Sequence, residues 1–285
     1  MLLASGSRLI DNTSGAVWSI GAGYTSLSVT SLSAFETFTG GATLASVSNQ
    51  GSYDTFNFTQ GTMTFTDSGN FTNVTLGNGN TTLTSTGAHD TYKLGDTVGA
   101  TGKSTVTLTG NNAALTGGNG TYTVTSRGLY ENVTLGNGSD TVNVYAPGGS
   151  GASSGDVFHL GNGARNTLNV YSSNNTIYAG TGLTFLSENN LGSGVNNTVV
   201  ANAAGGQVSF AGNFTAATGD HLDLTQILGG KGGVTAATLG NFVRLNANVL
   251  TVTGDHGTET VTLSSRGSYT MDSLTKSNFF VLPTT

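Results

Sequence analysis

The sequence predicts an all-β protein: a parallel β-solenoid of the β-roll or β-helix kind, followed by a small β-rich C-terminal module. Two observations favour this fold class. One six-residue motif occurs three times, flanked by short runs in which apolar residues alternate with Thr or Asn. Glycine supplies 44 of the 285 residues, whereas charged residues supply only 8%. Because helices depend on Ala, Leu, Glu and Lys, this composition excludes a helical bundle.

The repeated motif defines the unit of the predicted solenoid. Its copies span 74–79, 133–138 and 158–163, and each ends in Leu-Gly-Asn-Gly before a second alternating run. Alternation with a period of two is typical of a strand with one buried face. The spacing predicts turns of about 18–25 residues, about eight to ten in all. Gly and Asn are expected at the corners because they adopt left-handed backbone angles at low cost.

The composition along the chain predicts three regions. Residues 1–70 are irregular and form an N-terminal capping β region, and residues 71–204 carry the repeats of the solenoid body. From residue 205 charged residues and longer strand patterns return, which indicates a separate C-terminal module over 205–285.

One turn of the repeat body resembles a known calcium-binding repeat. Residues 136–142 read Gly-Asn-Gly-Ser-Asp-Thr-Val and are similar to the nonapeptide of repeats-in-toxin proteins. The resemblance implies a β-roll that binds Ca²⁺ through turn carbonyls and an Asp carboxylate. Asp140 holds the Asp position, but the other copies carry Thr81 and Asn166 there. Most turns are therefore expected to form without metal.

The C-terminal module resembles the secretion domain of bacterial type I export substrates. The Gly-Asp turn at 219–224, the hairpin-like runs after it and the apolar end at 279–282 follow that family's order. The resemblance implies an uncleaved C-terminal export signal and an extracellular or cell-surface location. The absence of cysteine and of a recognisable N-terminal signal peptide is consistent with that route. Asp220 and Asp223 join Asp140 as calcium candidates, and calcium is the only cofactor expected.

Charge and motifs exclude several partners and reactions. A net charge of −6 provides no positive field for nucleic acid. No apolar run reaches the roughly 18 residues of a membrane span. The four Glu are far apart in the sequence, and no phosphate-binding loop motif occurs. We therefore expect no enzymatic activity.

These observations predict a secreted structural protein that self-associates as a surface layer, fibre, adhesin or biofilm matrix, with cell-surface polysaccharide as a further partner. An alternative is a solenoid that binds or processes polysaccharide around Asp156, His159 and Arg165. A second alternative is an ice-binding array built from the Thr-x-Thr runs at 82–84, 105–109 and 121–125. A third is that the chain is the exported tail of a longer protein.

Overall fold

The computed structural model describes residues 8–21, 27–41, 44–99, 102–145, 147, 154–188, 195–265 and 268–284. The chain divides into two compact units, Met1–Gly136 and Asn137–Thr285, called here the first and the second unit. Both are built almost entirely from strands, so the predicted all-β class is confirmed. None of the helices in the described ranges is long and apolar enough to cross a membrane.

The described residues of the first unit form fourteen short strands. In chain order they are β1 (Arg8–Asp11), β2 (Val17–Ile20), β3 (Leu27–Ser31), β4 (Thr37–Gly40), β5 (Leu44–Asn49), β6 (Thr55–Gln60), β7 (Thr64–Asp67), β8 (Asn73–Asn78), β9 (Thr82–Ser85), β10 (Thr91–Leu94), β11 (Lys103–Leu108), β12 (Ala114–Thr116), β13 (Thr121–Ser126) and β14 (Asn132–Thr134). Odd-numbered strands form one parallel sheet and even-numbered strands form another. Each pair of consecutive strands is therefore one turn of a solenoid, and the predicted parallel β-solenoid is confirmed.

Successive turns of the first unit place like residues directly above one another. Phe38 pairs with Phe56, Phe56 with Val74, and Val74 with Tyr92, and all four side chains are fully buried. Because strand residues alternate between faces, one apolar residue in two is enough to build this core. The short alternating runs therefore form continuous apolar columns inside both sheets.

The second unit has the same plan and ends in a hairpin. Its strands are β15 (Thr141–Val144), β16 (Val157–His159), β17 (Arg165–Val170), β18 (Thr176–Tyr178), β19 (Leu183–Glu188), β20 (Thr198–Val200), β21 (Gly206–Gly212), β22 (His221–Asp223), β23 (Val243–Asn246), β24 (Val249–Thr253), β25 (Thr258–Thr262) and β26 (Phe280–Val281). Strands β15, β17, β19, β21 and β25 are parallel, whereas β24 and β23 continue that sheet antiparallel. Strands β16, β18, β20, β22 and β26 form the second parallel sheet.

The part of the second unit that the structure describes contains four short helices. They are the α-helices α1 (Thr225–Leu228) and α2 (Met271–Lys276) and the 3₁₀ helices Ala216–Thr218 and Leu239–Asn241. The described residues contain seven two-strand turns in the first unit and four in the second, more than the eight to ten expected. Between most neighbouring turns the register offset lies between 18 residues, as between Thr55 and Asn73, and 26, as between Thr141 and Thr167. It is much longer where β21 pairs with β25 and β22 with β26, because the hairpin and the helices lie between those strands. The predicted boundaries at residues 70 and 204 stay predictions.

The glycines of the repeated motif lie in corners or, as Gly77 does, near the end of a strand, but the reason we expected for them is wrong. Neither Gly77 nor Gly163 has a positive φ. A Cβ at Gly77 would lie 1.9 Å from the carbonyl oxygen of Thr59, and one at Gly163 would lie 1.6 Å from that of Gly138. Glycine is required there because the backbones of successive turns approach too closely for a side chain.

Left-handed backbone angles occur instead at the odd-to-even corner, where the chain passes from an odd strand to the next even strand. Phe35, Tyr53, Phe71 and His89 hold φ values between 57° and 63°. Gly15, Asn112 and Tyr130 hold equivalent positions in other turns with φ values of 77°, 60° and 59°. Each of these residues lies two positions before the first residue of an even strand.

The residue that follows each of these positions stands immediately before the even strand. These residues stack on one another as a buried ladder at the same corner, called here the corner ladder. The members named here are at most 1% exposed, and most are polar. They are Glu36, Asp54, Thr72, Asp90, Ala113 and Glu131 in the first unit, and Asp156, Asn175, Asn197 and Asp220 in the second. Side-chain oxygens of one turn accept main-chain N–H groups of the turn before, as Asp54 Oδ1 does from Glu36 over 2.8 Å. The ladder thus satisfies the backbone where strand pairing stops.

Candidate functional surfaces and metal-ligand residues

The outward face of the odd sheet in the first unit is a regular array of hydroxyl groups, called here the hydroxyl face. Two columns run across β3, β5, β7, β9, β11 and β13 in continuous register. The first column is Ser28, Ser46, Thr64, Thr82, Thr105 and Thr123, and the second is Thr30, Ser48, Thr66, Thr84, Thr107 and Thr125. Every position in both columns is Ser or Thr.

The local sequence explains this face. In each odd strand the residue between the two hydroxyl positions is apolar and buried, as Leu83 is between Thr82 and Thr84. Neighbouring strands of a sheet are about 4.8 Å apart, so the hydroxyls repeat at that interval along each column. Thr side chains also suit a half-exposed strand face. The predicted Thr-x-Thr run at 82–84 lies in these columns, as do residues 105 and 107 of the run at 105–109 and residues 123 and 125 of the run at 121–125. Thr121 pairs with Lys103 beside them.

A second surface feature is a stack of rings along the odd-to-even corner, called here the aromatic column. Phe35, Tyr53, Phe71 and His89 stack in sequence with ring centroids 4.9–5.0 Å apart and planes within 9° of parallel. Phe35 is 60% exposed, Tyr53 51% and Phe71 46%. The rings cover one another's faces and present their edges outward.

The aromatic column is held in a backbone conformation that disfavours it. A positive φ on a bulky residue is uncommon, and such a residue costs on the order of 1 kcal/mol or more. Gly15 and Asn112 meet the same geometric requirement at lower cost. The corner itself therefore does not require aromatic residues. Stacking contributes about 0.5–1.5 kcal/mol per pair and offsets the strain.

Asp140, the calcium candidate from the repeats-in-toxin resemblance, is buried at the start of β15. Its side chain is 2% exposed, and its main-chain N–H donates to Asn166 Oδ1 over 3.1 Å. Its carbonyl accepts the N–H of Thr167. Asp140 thus belongs to the polar packing between two turns and does not lie in an open turn.

Asp220 and Asp223 lie on opposite sides of their strand. Asp220 is fully buried in the corner ladder; its Oδ1 accepts the N–H of Asn197 over 3.0 Å, and its Oδ2 accepts the hydroxyl of Thr218. Burial raises the pKa of Asp220, and these hydrogen bonds lower it by less. Asp223 points outward, and its Oδ1 accepts the N–H of Thr225 at the start of α1. No group of three or more His, Asp or Glu suited to a metal ion occurs among the described residues. Calcium binding by Asp140, Asp220 and Asp223 stays a prediction.

The residues of the polysaccharide alternative do not form a common cleft. Asp156 is fully buried in the corner ladder. His159 lies on the outward face of an even strand, where its ring stacks on Tyr178 with centroids 4.2 Å apart, and burial lowers its pKa. Arg165 begins an odd strand, and its guanidinium lies 5.6 Å from the ring centroid of Phe185. The two sheets carry these side chains on different faces.

The most consequential feature that sequence reasoning missed is the burial of the acidic residues. We expected Asp140 and Asp220 in turns suited to calcium, yet they are among the eleven of the fifteen Asp and Glu side chains that are at most 2% exposed. They are Asp11, Glu36, Asp54, Asp67, Asp90, Glu131, Asp140, Asp156, Glu188, Asp220 and Glu259. One sequence signal was available: several of them directly precede an alternating apolar run, which places them at a solenoid corner.

Comparison with known proteins adds no relative. No protein-family model, curated protein or solved structure matches this chain. The fold and its surfaces therefore define the class of protein, a parallel β-solenoid with a low-charge, repetitive exterior.

Proposed function

We propose that this chain is an extracellular structural protein that self-associates through the aromatic column. The observation that supports it is the exposure of three stacked aromatic side chains at backbone positions that Gly15 and Asn112 hold in other turns. Tyr130, 65% exposed, holds the same position in the turn before β14. Contiguous exposed apolar surface marks association sites, and Tyr and Phe are enriched at protein interfaces. The partner that we propose for the aromatic column is a second copy of this chain.

Ring edges suit such a contact. The edge of an aromatic ring is electropositive and packs favourably against the face of another ring or against aliphatic groups. Leu32, at the same corner, is also exposed and widens the apolar patch beside Phe35. The column repeats one contact at each turn, so a second copy gains several equal contacts at once.

The experiment compares association of the unchanged protein with that of a Tyr53→Asn/Phe71→Asn variant by sedimentation velocity and negative-stain imaging. Asn tolerates the left-handed conformation, so the corner is expected to remain folded. We expect oligomers or filaments for the unchanged chain and monomers for the variant. The matched control is Val98→Asn, which removes an exposed apolar side chain elsewhere in the first unit. Monomers for the unchanged protein over the whole concentration range contradict the proposal.

The extracellular location forms part of this proposal and is supported by the resemblance of residues 205–285 to type I secretion domains. The test is co-expression of the full chain with a type I exporter. We expect the protein in the medium only when the exporter is present. Calcium and cell-surface polysaccharide remain the further partners to be examined with the secreted material.

The hydroxyl face favours a second candidate function, the binding of ice. Twelve Ser and Thr side chains in two columns present hydroxyl groups at the spacing of the strands, and the nine Thr among them also present methyl groups. A rigid array of this kind orders water without any charge. Ice recrystallisation is the measurement, and Thr66→Tyr/Thr84→Tyr is the variant that disrupts the face. The control is Asn57→Tyr/Thr75→Tyr on the outward face of the even sheet. Equal ice growth with and without the protein excludes this candidate.

A further inference from the structure

Two buried carboxyl groups of the first unit are joined through one tyrosine hydroxyl. The Tyr92 oxygen lies 2.6 Å from Asp67 Oδ2 and 3.1 Å from Asp90 Oδ2. Tyr92 and Asp67 are fully buried and Asp90 is 1% exposed, so bulk water does not contact the group. A phenol has one proton and donates to only one of the two carboxyl groups. If Tyr92 donates to Asp67, the contact between Tyr92 and Asp90 requires a proton from another group.

The remaining donors do not supply that proton. The N–H of Thr72 donates to Asp90 Oδ1 over 2.9 Å, and the Ser85 hydroxyl lies 3.2 Å from Asp90 Oδ2. With both carboxyl groups ionised, Tyr92 and Asp90 would face each other as two acceptors. A proton on Asp90 Oδ2 resolves this conflict: Asp90 donates to Tyr92, and Tyr92 donates to Asp67. The short distance to Asp67 agrees with a phenol proton directed at a carboxylate.

The surrounding charges support the same conclusion. Neither Asp67 nor Asp90 forms an ion pair with a Lys or Arg of the described ranges. Burial raises the pKa of Asp67 to about 6, although the hydrogen bond from Tyr92 lowers it. Burial also raises the pKa of Asp90, and the other titratable groups that face this pair are Tyr92 and the His89 imidazole. Burial and the two carboxyl groups raise the pKa of Tyr92.

A second pair in the same unit repeats the arrangement with a serine. The Ser31 hydroxyl contacts Glu36 Oε2 and lies 3.0 Å from Asp54 Oδ2, and all three side chains are fully buried. Ser31 has one hydroxyl proton for two carboxyl groups. Burial raises the pKa of Glu36 to about 7, and Asp11 and Asp54 are the charged groups that face it.

In the second unit two consecutive members of the same ladder, Asn175 and Asn197, are neutral amides placed between Asp156 and Asp220. The Oδ1 of each accepts a main-chain N–H, from Asp156 and Asn175 respectively. The amide nitrogen of Asn175 donates onward to Asn197 Oδ1 over 3.0 Å. An amide thus supplies the donor that a carboxylate lacks. A protonated carboxyl group likewise combines a donor with an acceptor.

We propose that Asp67 and Asp90 share one proton through Tyr92, that Glu36 and Asp54 share one through Ser31, and that these protons make the first unit a pH-sensitive fold. Loss of either proton leaves two negative charges in a water-free corner. The first unit is therefore expected to be more stable in acid and to lose stability as the pH rises. This inference is independent of the proposed self-association and ice binding.

The test is thermal unfolding of the full chain, followed by circular dichroism from about pH 5 to pH 8. The shared protons are held in the fold and released on unfolding, so their stabilisation is complete below the ordinary carboxyl pKa of about 4. It is lost as pH rises through the raised folded pKa of Asp90 in the first pair and through the folded pKa of about 7 for Glu36 in the second. We expect the Tm to fall by about 5 °C or more across this range.

Asp90→Asn is the decisive variant, because an amide donates to Tyr92 at every pH while its oxygen keeps the bond from Thr72. Its Tm is expected to fall less with pH than that of the unchanged protein. Asp96→Asn is the matched control, since Asp96 lies in a partly exposed loop of the same unit. The slope of Tm against pH is expected to be the same for this variant as for the unchanged protein. Equal slopes for the unchanged chain and Asp90→Asn overturn the proposal.

Infrared spectroscopy of the unchanged protein provides a second measurement that does not depend on a variant. We expect a protonated carboxyl stretch near neutral pH that moves in D₂O and weakens in Asp90→Asn. The absence of that band overturns the proposal. A calcium titration at about pH 8 separates a shared proton from a bound cation: a Tm restored to its acid value by calcium also overturns it.

Discussion

The ring of Tyr53 stacks on that of Phe35 with centroids 5.0 Å apart and planes 9° apart, and both residues have a φ of 63°. The contact joins two turns of the solenoid at a corner where the backbone is strained. Stacking energy and backbone strain are of similar size, on the order of 1 kcal/mol each. The balance between them can be measured directly.

Replacing Tyr53 by Gly removes the strain and both of its stacking contacts. We expect a loss of about 1–2 kcal/mol in the free energy of unfolding, because two ring contacts outweigh one relieved backbone angle. Asn112→Gly is the control, since Asn112 has a φ of 60° at an equivalent corner position. Urea unfolding should show a change within about 0.5 kcal/mol for the control. A Tyr53→Gly variant more stable than the parent would mean that the rings contribute nothing to the fold.

Gly163 tests the close approach of turns in the second unit. A Cβ there would lie 1.6 Å from the Gly138 carbonyl oxygen, a backbone atom that cannot move aside without disturbing the stacking of the turns. We expect Gly163→Ala to cost about 3 kcal/mol or more, or to prevent folding. Gly232→Ala is the matched control, because no atom lies within 4 Å of the position that its methyl group would take and its φ is not positive. Soluble yield and Tm are the measurements, and equal values for the two variants would contradict this account.

Glu259 is expected to make the stability of the second unit depend on pH. The side chain is fully buried, and burial raises its pKa to about 7. Since the pKa is higher in the folded than in the unfolded chain, stability is complete below about pH 4.5 and is lost as pH rises through about 7. We expect Glu259→Gln to raise the Tm at about pH 8 and to leave it nearly unchanged at about pH 4.5. Asp272→Asn, an exposed carboxyl on α2, should change neither value, and a similar gain in both variants would argue against a specific role of Glu259.

Asn197 tests the polar ladder of the second unit. Its Oδ1 accepts the N–H of Asn175 over 2.9 Å, and its Nδ2 donates to Glu188 Oε1 over 3.0 Å. Asn197→Ala leaves a buried N–H and a buried carboxyl oxygen without this partner, so we expect a loss of about 2–3 kcal/mol. Asn241→Ala removes an exposed amide and should cost less than about 0.5 kcal/mol. Chemical denaturation compares the two, and equal losses would show that the ladder contact is not stabilising.

Much of the fold followed from local patterns. The run at 121–126 alternates Thr with Tyr and Val, and that alternation alone predicts which side chains are buried in β13. The three copies of the motif indicated that such strands stack as repeated turns. Corner geometry could not be predicted in the same way: the left-handed positions hold Phe35 and Tyr53, residues that local preference excludes.

The candidate sites were predictable only in part. The Thr-x-Thr runs predicted hydroxyl side chains on one strand face, yet two straight columns require the register of six strands, which depends on loops of unequal length. The positions of the predicted calcium ligands could not be predicted from the local sequence. Asp140 and Asp220 appeared as turn residues suited to calcium, but their burial is set by contacts with Asn166 and Asn197 one turn away.

The sequence by itself determined the all-β class, the solenoid repeat and the low-charge exterior, because alternation, glycine content and composition are local properties of the chain. Only the tertiary structure decided where the carboxyl groups lie and which of them share a hydroxyl. Asp67 and Tyr92 are separated by 25 residues, and stacking of turns brings them within 2.6 Å. Protonation depends on that dry, three-dimensional environment, since burial penalises the charged form in a way that no sequence position reveals.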